Sequence, residues 1–176
     1  MRLSEIAQHL AELENRDPES TLIRLRNPLV KQLMSGTPGR RVKSPVGYDP
    51  LELLRARLLL AMGDIPLTTT EMGAANETLN QPPALRKLPD WAEDRVIPSG
   101  LKCLVNAARA GEDWNLILVI RIFEGERRIS SFIAPAGEGE TASRASRAVD
   151  LRDGPTIARV VLPASDLIKP LLGVLD

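Results

Sequence analysis

The sequence predicts an α+β protein, with a helical N-terminal half followed by a small antiparallel sheet with flanking helices. Apolar residues recur at helical spacing through most of residues 3–79. Two later runs, 114–123 and 127–134, are rich in strand-forming residues and are separated by a Glu-Gly-Glu turn, which predicts a hairpin.

A proline-rich stretch separates these two halves. Residues 81–98 contain prolines at positions 82, 83, 89 and 98, which interrupt both helical and strand patterns. We therefore expect an N-terminal domain at 1–80, a linker at 81–98, and at 99–176 an α+β domain for oligomerisation or ligand sensing.

The N-terminal domain begins with two helical patterns. Apolar spacing in residues 3–10 predicts the first helix, and Asp17 followed by Pro18 is a favourable start for the second. Pro28 removes a helical hydrogen bond, so the pattern allows either one kinked helix or two short helices that meet at Asn27, and the sequence does not decide between them. The apolar face of this region is predicted to comprise Leu22, Leu25, Leu29 and Leu33, broadened by Ile23, Val30 and Met34.

The remaining elements follow from turn and cap signals. Gly/Pro clusters flank a short strand-like segment at 36–48, which predicts a hairpin or wing. A run of strong helix formers at 51–62 predicts a long helix, and a capping box at 68–71 starts another that ends near residue 79. In the C-terminal half we expect helices at 99–110 and 165–175 and a third strand at 157–162.

Composition limits the classes of function. The 176 residues include 23 Lys+Arg and 23 Asp+Glu, so the chain is not a generally basic, histone-like DNA-binding protein. An aromatic content of 3% argues against single-stranded nucleic acid, which is bound by stacking bases on aromatic side chains. Cys103 is the one cysteine and His9 the one histidine; we expect Cys103 to be a buried apolar side chain, and the pair makes no recognisable metal set.

Basic residues are concentrated in one part of this neutral chain. Between Ser20 and Tyr48 there are six basic residues and no acidic residue: Arg24, Arg26, Lys31, Arg40, Arg41 and Lys43. The first three lie in the predicted helices and the last three in the predicted hairpin loop. A basic helix followed by a basic loop suits a DNA groove and its flanking phosphates, although a solvated charged face is the alternative.

The order helix, turn, helix, basic hairpin, long helix, short helix resembles the DNA-binding domain of the MerR family of transcription regulators. The matching stretches are Leu3-Ser4-Glu5-Ile6-Ala7, Thr21-Leu22-Ile23-Arg24, Gly39-Arg40-Arg41 with Gly47-Tyr48-Asp49, the helix at 51–57, and residues 63–72. The resemblance covers the N-terminal half only, and it implies a winged helix-turn-helix that binds double-stranded DNA.

Candidate DNA contacts fall into two groups. On the helices they are Thr21, Arg24, Arg26, Asn27 and Lys31, and on the wing they are Arg40, Arg41, Lys43 and Tyr48. Arginine, lysine and asparagine hydrogen-bond base edges in the major groove, whereas wing cations suit phosphates. Tyr48 either donates its hydroxyl to a phosphate or packs at the base of the wing.

The expected function is a sequence-specific transcription regulator, a cytoplasmic homo-oligomer without enzymatic activity, cofactor, metal or membrane contact. No catalytic set is recognisable in the C-terminal half. Two alternatives stay open: a protein–protein adaptor that uses a winged-helix surface, and a small-molecule-binding module or enzyme centred on the C-terminal sheet. The sequence does not give the operator, the direction of regulation, or whether an effector binds.

Overall fold

The computed structural model describes residues 1–37, 46–85, 89–91, 97–137 and 155–175. It confirms an α+β fold with two small antiparallel sheets. The chain divides into two compact units. The first unit comprises Met1–Thr69 with Pro170–Asp176, and the second unit comprises Thr70–Lys169.

The first unit is mainly helical. Its elements are α1 (Leu3–Glu14), α2 (Pro18–Leu25), α3 (Pro28–Leu33), β1 (Gly36–Thr37), β2 (Gly47–Tyr48) and α4 (Leu51–Gly63). The helix α4 packs against all three preceding helices, and its side chains are buried on almost every side. Because α4 lies inside, α1, α2 and α3 each keep a face for solvent.

The chain breaks between α2 and α3, which answers the question that Pro28 leaves open in the sequence. The Asn27 side chain accepts a hydrogen bond from the Leu29 backbone at 3.0 Å and so caps α3. Within the predicted apolar face, Leu25, Val30 and Met34 are buried and Leu22, Leu29 and Leu33 are half-buried. Ile23 is the exception at 63% exposure, because it lies on the side of α2 opposite the buried Thr21 and Leu25.

The second unit contains helices and a three-stranded sheet. Its elements are α5 (Thr69–Asn80), α6 (Gly100–Arg109), β3 (Trp114–Phe123), β4 (Glu126–Pro135), β5 (Thr156–Leu162) and α7 (Ala164–Ile168). The sheet order is β4-β3-β5, and both pairings are antiparallel. The expected hairpin and third strand are confirmed, because long β-branched and aliphatic runs favour the buried centre of a sheet.

The last predicted helix is partly wrong. Helix α7 ends at Ile168, and a 3₁₀ helix continues from Lys169 to Val174. Pro170 lies where this change occurs, and it lacks the backbone N–H that a continuing α-helix needs.

The division between the units falls earlier in the chain than the predicted domain end at residue 80. Helix α5 has its contacts in the second unit: Glu71 pairs with Arg127 at 2.7 Å, and the Thr78 hydroxyl bonds to the Ser131 carbonyl at 3.1 Å. Arg127 and Ser131 are each more than fifty residues from their partner on α5 in the sequence. The proline-rich stretch, from which the domain boundary was predicted, therefore gives no indication that α5 packs with the second unit.

Candidate nucleic-acid interface

The surface formed by α2 and α3 is positioned by local hydrogen bonds. The Asp17 carboxylate accepts from the Ser20 backbone at 2.7 Å, and Pro18 occupies the first turn of α2. This bond lowers the pKa of Asp17 below its ordinary value. Helix α2 therefore begins at a defined residue, which fixes the direction of each side chain after it.

Two of the predicted helical contact residues are used inside the first unit. Thr21 is buried, and its hydroxyl donates to the Asp17 carbonyl at 3.1 Å. Arg24 donates to the Asp64 carboxylate at 2.6 Å and to the Leu60 carbonyl at 3.2 Å. Arg24 thus attaches α2 to the C-terminal end of α4, where a cation also suits the helix dipole.

The other helical candidates are exposed. Arg26, Asn27 and Lys31 lie on the surface around the junction of α2 and α3. Asn27 uses its side-chain oxygen to cap α3, which leaves its amide nitrogen as a hydrogen-bond donor. These three side chains bring two cations and an amide to one acid-free stretch of the chain.

The hairpin predicted at 36–48 is present as the antiparallel pair β1 and β2, with Gly36 opposite Tyr48. The predicted wing contacts Arg40, Arg41 and Lys43 lie outside the described residues. Tyr48 is buried at 7% exposure, which agrees with its packing alternative at the base of the hairpin. Its backbone N–H donates to the Met1 carbonyl at 2.8 Å, and the Met1 amino group donates to the Tyr48 carbonyl at 2.7 Å.

A buried ion pair supports the start of the hairpin. Glu52 and Arg55 of α4 pair at 2.9 Å with both side chains buried. The second oxygen of Glu52 accepts from the Ser35 backbone at 2.9 Å, directly before β1. The carboxylate therefore joins the most buried helix of the unit to the segment that leads into the hairpin.

Two further side chains of this surface are exposed, Ile23 and Gln32. The sequence pattern placed Ile23 in the core and gave no signal for Gln32. A helical wheel anchored on the Asp17 cap and limited to α2 places Ile23 opposite the buried residues Thr21 and Leu25. That phase is available from the sequence once Pro28 is accepted as a break.

The second unit contains a polar cluster of a different kind. The Glu112 carboxylate accepts from the indole N–H of Trp114 at 2.8 Å and from that of Trp91 at 3.1 Å. The two ring centroids are 5.9 Å apart. Trp91, which lies in the predicted linker, therefore packs against the start of β3.

The structure also bears on the Cys103 thiol, on metal binding and on membrane-spanning helices. Cys103 is buried as expected, and desolvation raises the pKa of its thiol to about 12, which keeps it protonated at neutral pH. Across the ranges that the structure describes, no three His, Cys, Asp or Glu side chains group in a way that could hold a metal ion. Among the helices of those ranges, none is long and apolar enough to cross a membrane.

Comparison of the chain with protein-family models, curated proteins and solved structures finds no match in any of the three. The resemblance to the MerR family therefore rests on the sequence stretches quoted above. What the described surface can do chemically follows from its exposed groups, which are cations and amides suited to phosphates and base edges.

Proposed function

We propose that this protein is a sequence-specific, double-stranded DNA-binding transcription regulator. The observation that carries the proposal is the exposure of Arg26, Asn27 and Lys31 within a stretch that has no acidic residue from Ser20 to Tyr48. The same stretch continues into a β-hairpin whose connecting segment contains three further basic residues.

The charge distribution suits a polyanionic partner that contacts only one part of the protein's surface. The net charge of the chain is zero, with 23 basic and 23 acidic residues, so general electrostatic attraction to DNA is weak. Binding would depend on the few cations concentrated on one surface, and each phosphate contact would release counterions. Arg26 and Lys31 are both exposed at the surface of the first unit, where a partner can reach them.

The proposal assigns different roles to the predicted contact residues. Arg26, Asn27 and Lys31 face the DNA, and Arg40, Arg41 and Lys43 supply phosphate contacts from the hairpin loop. Arg24 positions α2 through Asp64, as its bonds to α4 indicate. Thr21 and Tyr48 are buried, so their role is to hold the shape of the unit.

The proposal also includes a homo-oligomer in the cytoplasm. Strand β5 lies at one edge of the second unit's sheet, and it exposes Ile157 and Val161. An apolar edge strand is one route to pairing between copies of a chain. Sedimentation equilibrium over a range of protein concentrations tests it, and a monomer at every concentration would remove this part of the proposal.

The first experiment measures binding to mixed genomic DNA fragments at two salt concentrations, with recovery and sequencing of the bound fragments. The three hairpin-loop cations alone, as phosphate contacts, predict an affinity loss of about 40-fold between 50 and 200 mM salt, and phosphate contacts from Arg26 and Lys31 as well would raise the loss to several-hundred-fold. The bound fragments should share one short motif.

A charge-reversal pair separates this proposal from the adaptor alternative. Arg26→Glu with Lys31→Glu should abolish most of the binding and reduce the salt slope by about 2. The charge-matched control is Lys102→Glu with Arg109→Glu, which alters exposed residues of α6 in the second unit. Absence of binding at low salt, or equal losses in both variants, would overturn the proposal and direct the search to a protein partner.

A further inference from the structure

The outward face of α2 carries an apolar side chain in an otherwise polar surface. Ile23 is 63% exposed, the highest value among the large apolar side chains of the described residues. It lies on the side of α2 opposite Thr21 and Leu25, both of which are buried. The core of the first unit therefore does not account for this isoleucine.

The neighbours of Ile23 on that face are polar groups that suit base edges. Arg26 follows it by three residues and Glu19 precedes it by four, which are the spacings of adjacent positions on a helix surface, and both are exposed. Asn27 lies beyond the end of α2, where its side-chain oxygen caps α3. Arginine pairs with guanine, and a carboxylate accepts from the amino group of cytosine.

A single exposed apolar side chain is common on protein surfaces and by itself indicates nothing. What distinguishes Ile23 is that it stands between two side chains, Glu19 and Arg26, that can hydrogen-bond base edges. Thymine presents an apolar methyl group in the major groove, and apolar side chains contact it there. An apolar side chain between two polar ones thus suits a thymine beside the bases that those side chains bind.

We infer that Ile23 is a specificity-determining residue that contacts the 5-methyl group of a thymine in the major groove. The inference rests on the proposed function and goes beyond it by naming one recognised base. Adjacent positions on a helix face are about 5–6 Å apart between Cβ atoms, and base pairs rise about 3.4 Å along each strand. The thymine should therefore lie within about two base pairs of the guanine bound by Arg26.

The test replaces thymine by deoxyuridine, which removes the methyl group and keeps every hydrogen-bonding group. Duplexes are first selected from a random library with the wild-type protein, and each thymine of the selected motif is then replaced in turn. One replacement should weaken wild-type binding about 4-fold, the effect of losing one buried methyl contact. Ile23→Ala should bind the thymine and deoxyuridine duplexes equally.

A control variant is available on α1. Leu13 is 38% exposed, so Leu13→Ala truncates an exposed aliphatic side chain on another helix. This variant should keep the wild-type preference for thymine. Since Ile23 is exposed, its truncation should leave the fold intact, and the deoxyuridine series on the wild-type protein gives an answer without any variant.

The outcomes separate the two proposals. Failure to select any duplex would overturn the proposed function together with this inference. A selected motif in which no thymine methyl affects wild-type binding would overturn the inference alone. The same holds if Ile23→Ala keeps the thymine preference, because another side chain would then make the contact.

Discussion

Helix α4 and strand β3 are the buried centres of the two units, and they achieve burial in different ways. Helix α4 is enclosed by three helices and includes two buried charged residues, Glu52 and Arg55, which pair with each other one turn apart. Strand β3 is hydrogen-bonded on both sides and buries an apolar run from Leu116 to Ile120.

The difference follows from backbone hydrogen bonding. A helix satisfies its own backbone, so a polar side chain that enters a helical core needs partners of its own, and Glu52 bonds to the Arg55 side chain and to the Ser35 backbone N–H. A central strand obtains its backbone partners from its neighbours, and β3 buries its aliphatic run beside one charged side chain, Arg121. The removal of a buried charge in the first unit can therefore be compared with the loss of buried apolar volume in the second.

The largest expected effect is in the second unit. Trp114→Ala removes a fully buried aromatic side chain at the start of β3 and should lower the free energy of unfolding by about 3–5 kcal/mol, measured by urea denaturation. Trp91→Ala is the control, since its indole bonds to the same Glu112 carboxylate but is only half-buried. Equal losses would mean that the shared hydrogen bond, and not burial, stabilises this end of the sheet.

A change of charge tests the first unit in the same way. Glu52→Gln removes the negative charge that pairs with the buried Arg55 and should cost about 3 kcal/mol. Asp64→Asn is the comparison, because it neutralises one partner of the more exposed pair with Arg24 and should cost at most about 1 kcal/mol. Similar costs for the two substitutions would contradict the role given to the buried pair.

The sequence was most informative where one pattern decides the outcome. The three strands of the second unit were predicted within about one residue at each end, because a long β-branched run has no competing helical period. The break at Asn27 was only one of two outcomes that the sequence allowed, since a proline without a backbone donor can kink a helix as well as end it.

The candidate surface was harder to predict, because exposure depends on partners distant in the chain. Arg24 and Arg26 look alike in sequence, yet only Arg24 reaches Asp64, forty residues further on. The attachment of α5 to the sheet through Thr78 and Ser131 spans 53 residues and leaves no local signal. Ile23 was misplaced because it was grouped with its neighbour Leu22, although its helical phase puts it opposite the buried Thr21 and Leu25.

A smaller effect is expected in the hairpin formed by β1 and β2. Each of its two strands contains one glycine, Gly36 and Gly47, and the two can be compared. A Cβ atom at Gly36 would lie 2.3 Å from Cγ1 of Val46 and 3.0 Å from the Tyr48 ring, so Gly36→Ala should cost about 1–3 kcal/mol. A Cβ at Gly47 meets nothing nearer than 4.0 Å, and Gly47→Ala should be nearly neutral by comparison. If both variants unfold at the same urea concentration, the packing of Tyr48 does not fix the hairpin.

The smallest effect concerns the cap of α2 and its dependence on pH. The backbone bond from Ser20 lowers the pKa of Asp17, so the folded state favours the carboxylate. The resulting stabilisation is present above the ordinary aspartate pKa of about 4 and is lost as the pH falls through the lower folded value. Asp17→Asn keeps a capping side chain without a titrating group, so its Tm should match the wild type near neutral pH and fall less on acidification.

Glu19→Gln is the control, because it removes a charge from the same turn but leaves the bond between Asp17 and Ser20. Its Tm should follow the wild-type dependence on pH. If Asp17→Asn followed that dependence as well, the acid sensitivity of the first unit would originate elsewhere in the unit and not in the cap that sets the direction of α2.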